Sequence, residues 1–381
     1  MSDRPSSEGV GRAWGWVAHL REGGTTPWRD WYGVAPAGGR VLPGAQQLEL
    51  LRRANLAAGS RRRGSSTPAG LADRVLAASA AGRGHADLPL VGAGEPTFGA
   101  RPLDPAELPA RELLRVASTL LAEDLAELGA DPLPTTWTRP WRRRVRLIGD
   151  PVVVAEVGDE LAARGRPLGG TGALVVVAAA PLDTLLEHTW TQRCFEHGSR
   201  PWEDWLRFWS ERGQLPVRAD LPDAVRRWGP RRPLVRVVTD PRRLPRTLGV
   251  RRLPRTTVPG ADQAELARRI AAVAGLLVPA EERPGLMRTL RGRMPRTTTP
   301  PVRLPEWARP WVDASAERMT RELRRADYPV VGDLADLTPV WEGGATPRPR
   351  AELDHLVLDL ALRMLVDPTW RMDPESREEE A

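Results

Sequence analysis

Residues 173–179, Ala-Leu-Val-Val-Val-Ala-Ala, form a continuous apolar run. Such a run reads as a strand buried on both faces, as in a parallel sheet. Upstream of it, Arg143–Ile148 (RRVRLI) alternates as a short strand, followed by the turn Gly149-Asp150-Pro151 and a helix to Arg164. Downstream, helices are expected from Leu182 to about Glu196, from Pro201 to Arg212 and near Pro222–Trp228. Leu234–Thr239 (LVRVVT) is a third strand, and Ala264–Leu277 a further helix. A proline-rich crossing at Pro295–Pro310 leads to a helix over about Asp313–Ala326, a short strand at Pro329–Val331 and a last helix at Glu352–Leu365. Strands alternating with helices give an α/β fold with a largely parallel sheet flanked by helices.

The chain before residue 135 carries a different pattern. Ala45–Ala58 (AQQLELLRRANLAA) and Leu71–Ala81 repeat apolar residues at helical spacing, and Ala110–Leu128 is an amphipathic helix closed by Gly129. Arg61–Arg63 and the Gly82-Arg83-Gly84 turn read as exposed loops. The expected organisation is a disordered tail over 1–13, a mostly helical N-terminal domain over 14–135, an α/β domain over 140–340, and a C-terminal helix with an acidic tail over 341–381.

Composition narrows the chemistry. The 381 residues contain no lysine, so all 56 basic side chains are arginine, and the net charge is +7. Without lysine there is no Schiff base, no phosphate-reaching loop ammonium and no ammonium to protonate a leaving group. The single cysteine, Cys194, excludes an internal disulfide and a multi-cysteine metal cage. No apolar run approaches the ~20 residues of a membrane span, and the first residues, MSDRPSSEGVGR, lack the apolar core of a signal peptide. The chain reads as cytoplasmic, with no membrane partner.

Fifteen of the aromatic residues are Trp, and they carry an internal echo. Trp16, Gly24, Pro27, Trp28, Asp30 and Trp31 recur 174 positions later as Trp190, Gly198, Pro201, Trp202, Asp204 and Trp205. The ordinary explanation is a shared helix–Gly–Pro-Trp–helix turn with Trp filling the corner. The sharper one is duplicated ancestry or two equivalent docking corners.

Three stretches resemble the sulfotransferase-like proteins of actinobacteria. Trp190–Leu206 (WTQRCFEHGSRPWEDWL) is similar to their W-Q-E-x-V-K…F-x-E-F-L helix pair, which follows a V-V-V strand as Val175–Val177 does here. Leu234–Pro241 (LVRVVTDP) is similar to their V-H-V-V-T-V-P strand, and Arg321–Pro339 (RELRRADYPVVGDLADLTP) to their terminal L-x-x-x-G-Y-x-V-V-G-D-L-x-D-L-x-P. The resemblance covers residues 140–340 piecemeal. It implies a P-loop-like sheet binding 3′-phosphoadenylyl sulfate, with a T-x-K-x-G-T-T loop whose N–H groups face the 5′-phosphate and whose lysine neutralises charge on the leaving oxygen.

At those points this sequence departs from the pattern. The loop after the first strand is Gly149-Asp150-Pro151-Val152, with a carboxylate where a phosphate would lie, and Pro151 removes an N–H donor. Ala180-Pro181 stands where the family carries an Arg-Asp pair. The expectation is therefore a catalytically degenerate relative that binds a protein partner or an anionic small molecule and takes no cofactor. If active, it would be a sulfotransferase using 3′-phosphoadenylyl sulfate and arginines in place of lysine. Candidate ligand-binding residues are Arg144, Arg146, Gly149, Arg193, Ser199 and Arg200; candidate interaction-surface residues are Trp28, Trp31, Trp202 and Trp205. No catalytic residue is assigned.

Other constellations have simpler explanations. Cys194 and His197 are three apart, but without clustered ligands no metal site is expected. His188 has the chemistry of a general base with no partner evident in the sequence. Asp333 with Asp336 reads as a helix cap. Arg226–Arg255 holds eleven arginines against Asp240 alone, which suits phosphates. Its prolines suggest a solvated loop, and Trp228 is its lone aromatic, so nucleic acid ranks behind the other partners.

Overall fold

Why the chain separates into a helical and a sheet-bearing part follows from where its apolar side chains can be covered. The computed structural model describes residues 7–61, 68, 70–78, 87–93, 100–132, 143–166, 168–170, 172–227, 234–341 and 348–372. It divides into two compact units: Met1–Asp131 with Glu265–Thr298 and Arg348–Ala381, and Pro132–Ala264 with Thr299–Pro347. Arg62, Arg63, the Gly82-Arg83-Gly84 turn, Arg142, Trp228 and the acidic tail from Asp373 lie outside the described residues.

The first unit contains helices α1 (Ser7–Arg21), α2 (Ala45–Arg61), α3 (Leu71–Ala77) and α4 (Ala110–Leu128). α4 packs on α2 and on the last helix, α13 (Arg350–Val366). Leu113, Leu114, Leu120, Leu121 and Leu125 of α4 and Val357, Leu358, Leu360 and Met364 of α13 are buried. Asp124 is buried within α4 and is paired with the guanidinium groups of Arg74 and Arg371. Burial raises its carboxyl pKa, against the pull of those two arginines. Glu265, at the start of this unit's second segment, binds Arg268 and Arg269 at 2.6 and 2.8 Å.

α1 corrects the expected tail, because it begins at Ser7 rather than near Trp14. Gly9 and Gly11 are poor helix formers, and contacts from a distant loop hold the segment. Arg12 donates from Nε to the Trp31 carbonyl and from Nη2 to the Trp28 carbonyl, both at 2.7 Å, with its guanidinium 3.9 Å from the Trp28 ring centroid. A Cβ at Gly15 would lie 2.7 Å from the Gly33 carbonyl oxygen, so the absence of a side chain lets the loop approach.

The second unit carries four parallel strands: β1 (Val145–Gly149), β2 (Leu174–Ala178), β3 (Val235–Val238) and β4 (Val330–Val331), in that order across the sheet. The helices between them are α5 (Pro151–Ala163), α6 (Leu182–Cys194), α7 (Trp202–Ser210), α8 (Leu221–Arg226), α9 (Leu244–Leu248) and α12 (Arg309–Ala326). One sheet face presents Val145, Leu174, Val176 and Val238 to Val157 and Leu161 of α5 and to Leu244 and Leu248 of α9. Register puts Val175, Val177, Val235 and Val237 on the other face, also buried. β2 is thus covered on both faces, as its unbroken apolar run requires. The strand order does not reverse, so these strands have no switch point of the kind that opens a ligand crevice in α/β sheets.

Among the described residues two further helices are α10 (Ala261–Leu277) and α11 (Arg283–Arg293). α11 has no counterpart in the sequence reading, since only Leu286, Met287 and Leu290 mark its apolar side among arginines.

Candidate functional site

The carboxyl end of β1 and the N-terminus of α5 meet at Gly149-Asp150-Pro151. Gly149 has φ +100°, and a Cβ there would lie 2.2 Å from the Ala178 carbonyl oxygen, so the chain can turn this tightly against β2 only with glycine. Asp150 follows and donates its own N–H to Ala178 O at 2.8 Å. Its Oδ1 accepts from the N–H groups of Val152 (3.0 Å) and Val153 (3.3 Å), capping α5, while Pro151 takes the first helical position.

The same carboxylate has a second partner. His188 of α6 lies with Nδ1 2.9 and 2.8 Å from the two Asp150 oxygens, and an ionised carboxylate makes Nδ1 the donor. Asp150 is 3% exposed, and the His188 side chain 12%. An incoming phosphate or sulfate would need these same N–H groups and would have to displace a buried, hydrogen-bonded carboxylate.

Acidic residues close the rest of this edge. Asp240, after β3, caps a 3₁₀ turn by accepting from Arg242 N at 3.0 Å. Asp333, after β4, accepts from Ala335 N at 2.9 Å. Asp336 returns the capping-box bond to Asp333 N and accepts from Thr239 Oγ1 at 2.9 Å. Beside His188 on α6, Glu187 is buried with Arg303 Nη1 3.6 Å away. Burial pushes the Glu187 carboxyl up to about 7, Arg303 opposes this and Asp183 adds to it. Burial likewise raises Asp183. Asp150 already occupies the N–H groups that a phosphate at this helix end would need, so the residues present do not fit the donor.

The six proposed ligand-binding residues are not gathered into one site. Arg144 and Arg146 lie at the amino end of β1, roughly 10–16 Å along the strand from Gly149. Their guanidinium groups rest beside Gly170 and Gly169 respectively. Arg193 is exposed, and its carbonyl accepts from Gly198 N at 3.0 Å. Ser199 is half-buried in that turn, and the Arg200 guanidinium sits 4.6 Å from the Phe208 ring centroid.

The tryptophan corners repeat in three dimensions. Trp16 Nε1 donates to Thr26 O and Trp190 Nε1 to Arg200 O, each at 2.9 Å and again offset by 174 residues. Ring centroids are 5.4 Å apart in both Trp16–Trp28 and Trp190–Trp202, with interplanar angles of 50° and 58°. Gly24 N bonds His19 O at 2.9 Å, as Gly198 N bonds Arg193 O at 3.0 Å. As an interaction surface the set needs correction. Trp28 and Trp205 are 3% and 4% exposed. Trp31 is half-buried and stacks on His19, and Trp202 is half-buried with Nε1 bonded to Arg303 O. These indoles fill corners of their own units.

Cys194 is a buried thiol, and among the described residues no group of three His, Cys, Asp or Glu side chains could hold a metal ion. Among the same residues no helix is long and apolar enough to cross a membrane. Sequence reasoning singled out Asp150 and His188 separately and missed that they pair. The Asp-Pro start of α5 was the readable cap signal, whereas nothing local marks a partner 38 residues away. Comparison with protein-family models, curated proteins and solved structures finds no match to this chain.

Proposed function

We propose that this chain is a sulfotransferase-like protein, P-loop-like in its sheet unit, that has lost the donor site and acts by binding a protein partner or an anionic ligand. One observation carries the reading: Asp150, itself paired with His188, takes up the α5 N-terminal N–H groups that a donor phosphate would require. The absence of lysine supports it, since no ammonium is available to neutralise a departing phosphate oxygen. A transferase using arginine instead would need guanidinium groups at Gly149, and Arg144 and Arg146 lie at the other end of β1.

Titration calorimetry with 3′-phosphoadenosine 5′-phosphate tests the proposal. No saturable heat is expected with millimolar nucleotide; binding tighter than millimolar would overturn it.

A further inference from the structure

After β3 the chain forms a ribbon, residues 241–257, made of a 3₁₀ turn, α9 and an extended return. Its apolar side chains Leu244, Leu248, Val250 and Leu253 pack onto the sheet core. Its backbone is clamped from α5 and the residues after it. Arg166 donates to the carbonyls of Leu248 and Gly249, Arg164 donates to Arg252 O at 3.0 Å, and Glu156 accepts from Thr257 N at 3.1 Å. The ribbon is therefore a fixed element, where the sequence alone suggested a solvated loop.

With the apolar residues turned in, Arg242, Arg243, Arg246, Arg251, Arg252 and Arg255 are all exposed. Arg243 has Asp240 3.4 Å away. The other five guanidinium groups make no ion pair and no side-chain hydrogen bond among the described residues. On α10, by contrast, Arg268 and Arg269 both meet Glu265. Clustered like charges on a fixed backbone repel, and a polyanion relieves that repulsion.

We propose that this arginine ribbon binds the phosphate backbone of a nucleic-acid duplex without regard to base sequence. Guanidinium groups engage phosphates bidentately. The ribbon sequence, PRRLPRTLGVRRLPRTT, contains no aromatic residue on which unpaired bases would stack. Nor does it leave a bulky apolar side chain free to enter a lipid surface. Contact by charge alone makes the binding indifferent to sequence and steep in salt. The proposal names a ligand for the binding role above, but it does not depend on the state of Asp150, so either can fail without the other.

Fluorescence anisotropy with two labelled duplexes of unrelated sequence, each about 20 base pairs, tests it. For five phosphate contacts, affinity is expected to fall on the order of 500-fold between 50 and 200 mM salt, equally for both duplexes. The variant R251Q/R252Q/R255Q should retain only about a tenfold salt effect. R321Q/R324Q/R325Q, which removes the same charge from exposed positions on α12, should bind nearly as wild type. Equal loss in both variants, tighter binding to the matching single strand, or a ribbon that binds polyglutamate but not duplex would overturn the proposal. Should the ribbon variant fail to fold, phenylglyoxal modification of the wild-type chain decides: duplex must protect Arg246, Arg251, Arg252 and Arg255 more than Arg321, Arg324 and Arg325, and equal protection overturns it.

Discussion

Asp150 combines two tasks that are usually separate, the cap of a helix and the hydrogen-bond acceptor of an imidazole. Asp150→Ala removes both and should lower unfolding free energy by roughly 2–3 kcal/mol, about 1 for the cap and the rest for the charge-assisted bond. Asp150→Asn keeps an oxygen to cap α5 and should lose about half as much. Urea denaturation at neutral pH measures both. Glu187 supplies a pH dependence of opposite sense to that of a salt-bridged carboxylate. Its folded pKa, about 7, lies above the ordinary 4.5, so the folded state holds the extra proton. That contribution is complete below 4.5 and is lost as pH rises through 7, by about 3 kcal/mol. Glu187→Gln should therefore flatten the stability profile between pH 5 and 8, as thermal unfolding across that range would show.

At the level of elements, the two Trp corners invite a paired experiment. Trp16→Phe and Trp190→Phe each remove an indole N–H bond to a carbonyl, of Thr26 and Arg200 respectively, while keeping most of the ring. Each should cost roughly 1–2 kcal/mol, and similar values in denaturant unfolding would show that the corners are energetically as well as geometrically alike. The corners were legible because Gly, Pro and Trp at fixed offsets specify a turn locally. α9 and α11 were not. Leu244 and Leu248 are one helical turn apart within an arginine-rich stretch, and their packing on the sheet, unseen in the sequence, makes that turn a helix.

Within the helical unit, the last helix completes the core of an early one. Removing residues from Arg350 onward would uncover α4, whose neighbours Val357, Leu358, Leu360 and Met364 are buried. Each such side chain stabilises by about 1.5–3 kcal/mol, and four together match the whole stability of an ordinary domain. The truncated chain should lose amide-exchange protection throughout Ala110–Leu128. Retained protection there would show that α13 is dispensable.

The sequence by itself determined the parallel strands, most of the helices, the aspartate at the mouth of α5 and the want of any lysine to offset it. Those features are local: periodicity records which side of an element is covered, and residue chemistry is carried by one position. Only the tertiary structure decided that His188 meets Asp150, that α1 reaches back to Ser7, and that the ribbon after β3 is clamped with its arginines outward. Each depends on segments far apart in the chain, and a one-dimensional pattern shows that a face is buried without showing what buries it.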